Sequence, residues 1–343
     1  MEGKQSKFRP IQIPIPFGQL SGKWYGSSDV RPLLFIHGYC DNSGTFDRLI
    51  PLLPPHGSYL AIDLPGHGLS SNLPDGIVYH ATDTIIVILR IMQAYNWTKV
   101  SLVGHSLGAM MCYMFIGIYP ELVDLFVAID AFQPYFPGKM LEHLAHHIER
   151  TLASDMANRR NELPKVYTHQ EMLEKIHHGL ASTIPKEICH HLLARNIAAS
   201  KHRPEKYFFR QDSRTKFPNV LGWSMETNAQ AARNITCPVL IIKATDSIHY
   251  SDPDECKQLI ELMKKKPSSH VTFVTVKGCH YVHLIEPERV ANVITHFLNS
   301  CKYSRETVES KLITPKKKSQ SNNERQSQTI RQKVHIVKVE KKD

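Results

Sequence analysis

Lys99-Val-Ser-Leu-Val-Gly-His-Ser-Leu-Gly-Ala109, with the apolar run that follows it to Pro120, decides how this chain is read. Val100 to Val103 has the pattern of a short buried strand and Leu107 to Tyr119 that of a helix, and only Gly104-His105-Ser106-Leu107-Gly108 joins them. This is G-x-S-x-G in a strand, turn, helix context. Gly104 and Gly108 lack a Cβ, so the chain can turn sharply and push the Ser106 hydroxyl out at a helix N-terminus. A serine between glycines is ordinary turn chemistry; the flanking strand and helix make it a candidate nucleophile.

Outward from this stretch, strands and helices alternate. Ile11, Ile13, Ile15 and Phe17 alternate with Gln12, Pro14 and Pro16, which predicts a half-buried strand, and the prolines place it at an edge. Lys23-Trp24-Tyr25-Gly26 continues it through a hairpin. Leu33 to Ile36, Tyr59 to Ile62, Leu125 to Ile129, Pro238 to Ile242 and Val271 to Val276 read as strands, most of them covered on both faces. Helices are expected at Phe46 to Leu53, His80 to Tyr95, around Cys256 to Met263, and after Pro287. The order predicts an α/β architecture with a mainly parallel sheet flanked by helices. From 134 to 235 the rhythm changes to helical patterns rich in His, Lys, Arg, Met and Leu, a helical insertion placed to act as a lid over the strand ends. The expected organisation is a core at 1–133 and 236–301, the lid at 134–235, and a polar, disordered tail at 302–343.

At 343 residues the chain can bury a full core. Its first ten residues lack the apolar segment of a secretory signal, and no apolar run reaches membrane-spanning length, so a cytoplasmic protein without a transmembrane segment is expected. Seven scattered cysteines without a C-x-x-C pair read as reduced thiols. The net charge of +10 is concentrated: residues 302–343 hold 12 Lys and Arg against 5 Asp and Glu, +7, which leaves +3 for the rest. The core therefore gives no sign of a nucleic-acid partner, while the tail, with Lys316-Lys317-Lys318, is the part suited to an acidic surface. His143, His146 and His147 share a helix face, but no HExxH or cysteine partner accompanies them, and no metal or cofactor is expected.

A serine hydroxyl attacks only when a base takes its proton and a third group orients that base. Two histidines follow the last strand, His280 and His283, and two aspartates stand at strand ends, Asp246 and Asp130. Ser106, Asp246 and His280 follow the chain order Ser, Asp, His. Of the two N–H donors that an oxyanion needs, Leu107 supplies one and the loop after Ile36 the other, through Tyr39.

His37-Gly38-Tyr39, Asp63-Leu64-Pro65-Gly66-His67-Gly68, Gly104-His105-Ser106-Leu107-Gly108 and the segment from Gly278 to Pro287, in this order, resemble the α/β-hydrolase superfamily from about Pro10 to Ser300. Phe35 to Phe46, Ile188 to Arg195 and Gly278 to Leu284 resemble its serine hydrolase-like, or kraken-like, group. That resemblance implies a triad of Ser106, Asp246 and His280. The group's histidine stands seven residues before the proline of the last helix, which selects His280, and the acid follows the penultimate strand, which favours Asp246. Ala109 stands where many relatives have glycine, and Glu286 directly precedes Pro287. A serine at the elbow, where dehalogenases and epoxide hydrolases use aspartate, implies an acyl-enzyme and a small acyl substrate such as a carboxylic ester. The resemblance also implies a peroxisomal or perinuclear vesicular location as the alternative to the cytoplasm. A non-catalytic ligand-binding protein on the same fold is the rival expectation.

Overall fold

The computed structural model describes residues 8–80, 82–134, 140–160, 162–180, 183–216, 222–248, 251–265 and 270–301. The chain divides into two units, Met1–Val308 and Glu309–Asp343, and every described residue belongs to the first. The basic tail expected from residue 302 lies outside the described residues.

β1 (Arg9–Ile15) and β2 (Gly18–Tyr25) form an antiparallel hairpin, followed by β3 (Leu33–Ile36), β4 (Tyr59–Asp63), α1 (Asp83–Ala94), β5 (Val100–His105), α2 (Leu107–Ile118) and β6 (Val123–Ile129). Between β6 and the next strand of the main sheet come α3 (Met140–Arg159), α4 (His169–Gly179), α5 (His190–Asn196), a short hairpin of β7 (Ile197–Ala199) and β8 (Tyr207–Phe209), and α6 (Met225–Asn234). The sheet resumes with β9 (Val239–Ala244), α7 (Pro253–Lys264) and β10 (Val271–Val276), and the described chain closes with α8 (Val282–Ile285) and α9 (Pro287–Ser300). The eight strands run in the order β1-β2-β4-β3-β5-β6-β9-β10. From β4 to β10 all neighbours are parallel. The proline-bearing β1 is at one edge, as expected, because Pro10 and Pro14 have no N–H to offer a further strand.

Side chains alternate across a strand, so each continuous apolar run fills two cores. Leu34, Ile36, Leu60, Ile62, Val100 and Leu102 pack on one face of the sheet with α1 and α2; Leu33, Phe35, Tyr59, Ala61 and Val103 pack on the other with α9. Burial of a side chain such as Leu34 or Phe35 contributes about 1.5–3 kcal/mol. Helix α2 is buried from Gly108 to Gly117, which explains why its sequence is apolar on every side.

Two details differ from the sequence reading. Phe46 to Leu53 is not one helix but two 3-10 turns, Ser43–Phe46 and Ile50–Leu52. Pro51 and Pro54 interrupt the ladder an α-helix would need. The insertion also contains the β7–β8 hairpin, whose three-residue strands are too short to show periodicity.

The insertion is fastened to the loops at the strand ends by buried polar pairs. Arg195 of α5 grips Asp63 at the end of β4 through Nε and Nη2, at 2.6–3.1 Å, with 7% and 0% of the side chains exposed. Asp63 also accepts from the N–H groups of Ser43 and Leu69. Burial pulls the Asp63 carboxyl upward, but Arg195 and these N–H groups outweigh it and hold it below the ordinary carboxylate range. Asp63 is therefore ionised above that range, and its stabilising contribution is lost only as pH falls through its depressed pKa. Arg195→Leu strands this carboxylate in the interior and is expected to cost about 3–5 kcal/mol in a denaturant titration near pH 7. An unchanged midpoint with unchanged slope would show that the pair does not hold the insertion down. Elsewhere in the insertion, Arg214 donates to Asp212 and to the carbonyls of Leu73, Pro74 and Ile77, and Asn42 donates to Leu192 O at 2.9 Å. No helix among the described residues is long and apolar enough to cross a membrane.

Candidate active site

The turn between β5 and α2 is built by close backbone contacts. A Cβ on Gly104 would stand 2.4 Å from Ala109 Cα, and one on Gly108 would stand 2.4 Å from the carbonyl oxygens of both Ile36 and His37. Only glycine permits these approaches. Ser106 between them has φ 54° and ψ −124°, a conformation that costs about 1–3 kcal/mol and is kept because the surrounding packing leaves no alternative. Its N–H continues the sheet ladder to Ile129 O at 3.1 Å, and the residue is 8% exposed.

The loop after β3 lies against this turn. A Cβ on Gly38 would stand 3.0 Å from Ser106 Cβ. His37 Nε2 accepts from Leu64 N–H at 3.0 Å, so the proton is on Nδ1, which donates to Gly38 O at 2.8 Å. Burial, then the neighbouring His67, pushes the His37 pKa down to about 3, keeping the ring neutral. With the Gly38 carbonyl held by His37 and by Asp41 N–H, the trans peptide directs the Tyr39 N–H to the opposite side. The Tyr39 side chain itself is 45% exposed, and its hydroxyl donates to Lys216 O in the insertion. Leu107 is the first residue of α2, where N–H groups have no partner within the helix.

His280 follows β10 and is drawn to the elbow by His105, the residue before Ser106. His105 Nε2 donates to His280 O at 3.0 Å, and the two rings are 4.6 Å apart. Burial, then the nearby His283 and His280, drives the His105 pKa well down, so this ring is neutral. His283 does not share the position of His280. It is fully buried, with Nε2 against Thr45 Oγ1 at 2.9 Å, and burial pushes its pKa down to about 3.

The structure does not bring Asp246, the acid expected from the sequence, to His280. His280 Nδ1 meets Asp130 Oδ2 at 2.6 Å, not Asp246. Asp246 is exposed and accepts only from its neighbour Thr245 Oγ1, at 2.9 Å, among the bonds described for its side chain. The cause lies in backbone bonds: Thr245 N–H goes to Val276 O and Asp246 N–H to Gly278 O, both at 2.9 Å, which spends this loop on holding the His280 loop and leaves the Asp246 carboxylate in solvent. Asp130 ends β6, between β5 and β9, with its N–H on Ile242 O at 2.7 Å. Its φ of 61° is one that aspartate tolerates better than most residues and that turns the side chain toward His280.

Sequence reasoning did not find the two side chains that hold Asp130. Lys243 Nζ donates to Oδ1 at 2.8 Å, Ala244 N–H to the same oxygen at 2.8 Å, and Ser247 Oγ to Oδ2. Burial pulls the Asp130 pKa upward, but the bonds from His280, Lys243, Ser247 and Ala244 outweigh it, so the net direction is down and the group is a carboxylate. The available signal was the placement of Lys243 near the end of a strand next but one to the elbow, which is visible only once strand order is known.

Among the described residues no group of three or more His, Cys, Asp or Glu is placed to hold a metal ion. All seven cysteines carry free thiols. The arrangement provides a strained serine, a histidine whose main chain is tied to the residue before that serine and whose Nδ1 is committed to a buried carboxylate, and main-chain N–H groups at the start of α2 and in the loop after β3. Such a set moves a proton from a hydroxyl and stabilises negative charge on oxygen.

Comparison with known proteins gives the family of the chain. A family model described as alpha/beta hydrolase fold matches residues 31–175. A probable serine hydrolase of Drosophila melanogaster is 33% identical over 86% of this chain and 88% of its own length. The serine hydrolase-like protein of Danio rerio is 34% identical over 87% of this chain and 90% of its own. Among solved structures, an E-2-(acetamidomethylene)succinate hydrolase superposes with a TM-score of 0.65 at 26% identity, over 85% of this chain and 100% of the other.

Proposed function

Since the chain belongs to the serine hydrolase-like proteins of the α/β-hydrolase fold, we propose that it cleaves a carboxylic ester or a related acyl bond through an acyl-enzyme on Ser106. The observation that carries this reading is the 2.6 Å contact of His280 Nδ1 with Asp130, on a histidine whose main chain is tied to the residue preceding Ser106. With Nδ1 occupied, Nε2 is the nitrogen left to take the Ser106 proton.

In the proposed reaction Ser106 Oγ attacks the acyl carbon while His280 Nε2 receives its proton. Asp130 holds the imidazole in the required tautomer and offsets the charge it acquires. The Tyr39 and Leu107 N–H groups receive the oxyanion. His280 then protonates the leaving alcohol, and a water deprotonated by the same nitrogen attacks the acyl-enzyme, releasing the acid and restoring Ser106. Ser106 and water supply the two nucleophiles and their protons pass through His280, so the proposed cycle draws on no cofactor. The insertion, 134–235, serves as the lid that shapes the pocket for a small acyl substrate. A reducing compartment such as the cytoplasm suits seven free thiols.

A fluorophosphonate probe tests this reading. The folded full-length chain is expected to take up one equivalent, and peptide mapping is expected to place the adduct on Ser106. Folded protein that stays unlabelled would support the rival, a ligand-binding protein without turnover.

A further inference from the structure

The loop after β9 was expected to deliver the catalytic carboxylate. Instead it sends Asp246 outward and turns two flanking side chains inward onto the carboxylate from β6. Lys243 is 14% exposed in its side chain, and Asp130 is 0% exposed. The Lys243 ammonium has three directions to satisfy, and it donates to Asp130 Oδ1 at 2.8 Å, Ile248 O at 2.9 Å and Ser247 O at 3.4 Å. Asp130 accepts four bonds, two on Oδ1 from Lys243 and Ala244 and two on Oδ2 from Ser247 and His280. Neither group has a spare site with which to rotate.

The geometry points to Lys243, with Ser247, as the positioning pair that aims the Asp130 carboxylate at His280 and sets how far down in pH the enzyme keeps its histidine ready to accept a proton. This assignment rests on the serine hydrolase reading above. Asp130 alone would favour the charged imidazolium, which cannot take the Ser106 proton. An ammonium on its other oxygen offsets part of that attraction and lets the neutral ring persist at lower pH. Other titratable groups among the described residues also face His280. His105 and Tyr281 pack on the His280 ring at 4.6 and 5.3 Å, His283 lies behind His105 with ring centroids 4.1 Å apart, and Cys279 precedes His280. Burial keeps His105 and His283 neutral and the Cys279 thiol protonated, so among these neighbours Lys243 is the cation that acts on Asp130.

The test is the rate of fluorophosphonate labelling of the full-length chain from about pH 5 to 9. In Lys243→Met the acidic limb is expected to move up by about one pH unit, with a further drop of about ten-fold in the plateau rate from loss of aim. Lys243→Arg is expected to bring the limb back toward wild type, and Ser247→Ala to move it up by about half a unit. A role confined to folding would lower the rate equally at every pH. An unmoved or downward-moved limb in folded Lys243→Met overturns the assignment. If that variant does not show a native melting transition, Ser247→Ala decides by the same criterion. Wild-type labelling with an unmoved limb removes only this inference, whereas a wild type that never labels removes the serine hydrolase reading and this inference with it.

Discussion

Hydrolysis of an activated ester is expected to fall by about 10⁴-fold in Asp130→Asn and to remain within about two-fold of wild type in Asp246→Asn. Asparagine has one acceptor oxygen where Asp130 uses two, and with that oxygen held by Lys243 and Ala244 its NH₂ faces His280, donates to Nδ1 and favours the tautomer with the proton on Nε2, which blocks transfer from Ser106. The Lys243 ammonium, deprived of its carboxylate, compounds the loss. Asp246 has no such consequence, because its carboxylate is exposed and its structural role is exercised by its main-chain N–H, which the substitution keeps. Steady-state kinetics on the two variants, with melting temperatures to confirm folding, decides the matter. A large loss in Asp246→Asn with activity retained in Asp130→Asn would require the β9 loop to rearrange on substrate binding.

Ser106→Ala is expected to lower turnover by about 10⁶-fold and to abolish fluorophosphonate labelling while the melting temperature stays near wild type. Folding should survive because the φ of 54° at this position is imposed by the glycine contacts on both sides, and alanine meets the same strain as serine. What disappears is the hydroxyl that forms the acyl-enzyme; the N–H groups of Tyr39 and Leu107 remain to give a residual rate above water. Turnover that persists at wild-type level would move the nucleophile elsewhere and dissolve the mechanism proposed for His280.

Much of this was legible along the chain because it depends on short-range chemistry. The alternation of Ile11, Ile13 and Ile15 and the prolines between them give an edge strand from local rules alone. Continuous runs such as Leu33 to Ile36 signal double-sided burial, which the two cores explain. Phe46 to Leu53 misled because its apolar spacing is helical while its prolines allow only 3-10 turns. Arg195 to Asp63 and Lys243 to Asp130 were invisible, since partners separated by over a hundred residues leave no local trace in one sequence.

From the sequence by itself follow the α/β architecture and the elbow that makes Ser106 the candidate nucleophile, whereas His280 is favoured over His283 by the resemblance to the serine hydrolase-like group. The architecture and the elbow are encoded by residue type and spacing within a few tens of positions. Only the tertiary structure decided which aspartate meets His280. Asp130 and Asp246 both stand at strand ends, and the family resemblance favours Asp246, which the structure leaves away from His280. The outcome depends on β6 lying between β5 and β9, and on Thr245 and Asp246 spending their N–H groups on the β10 loop, so that one carboxylate is buried against the imidazole and the other is left in water.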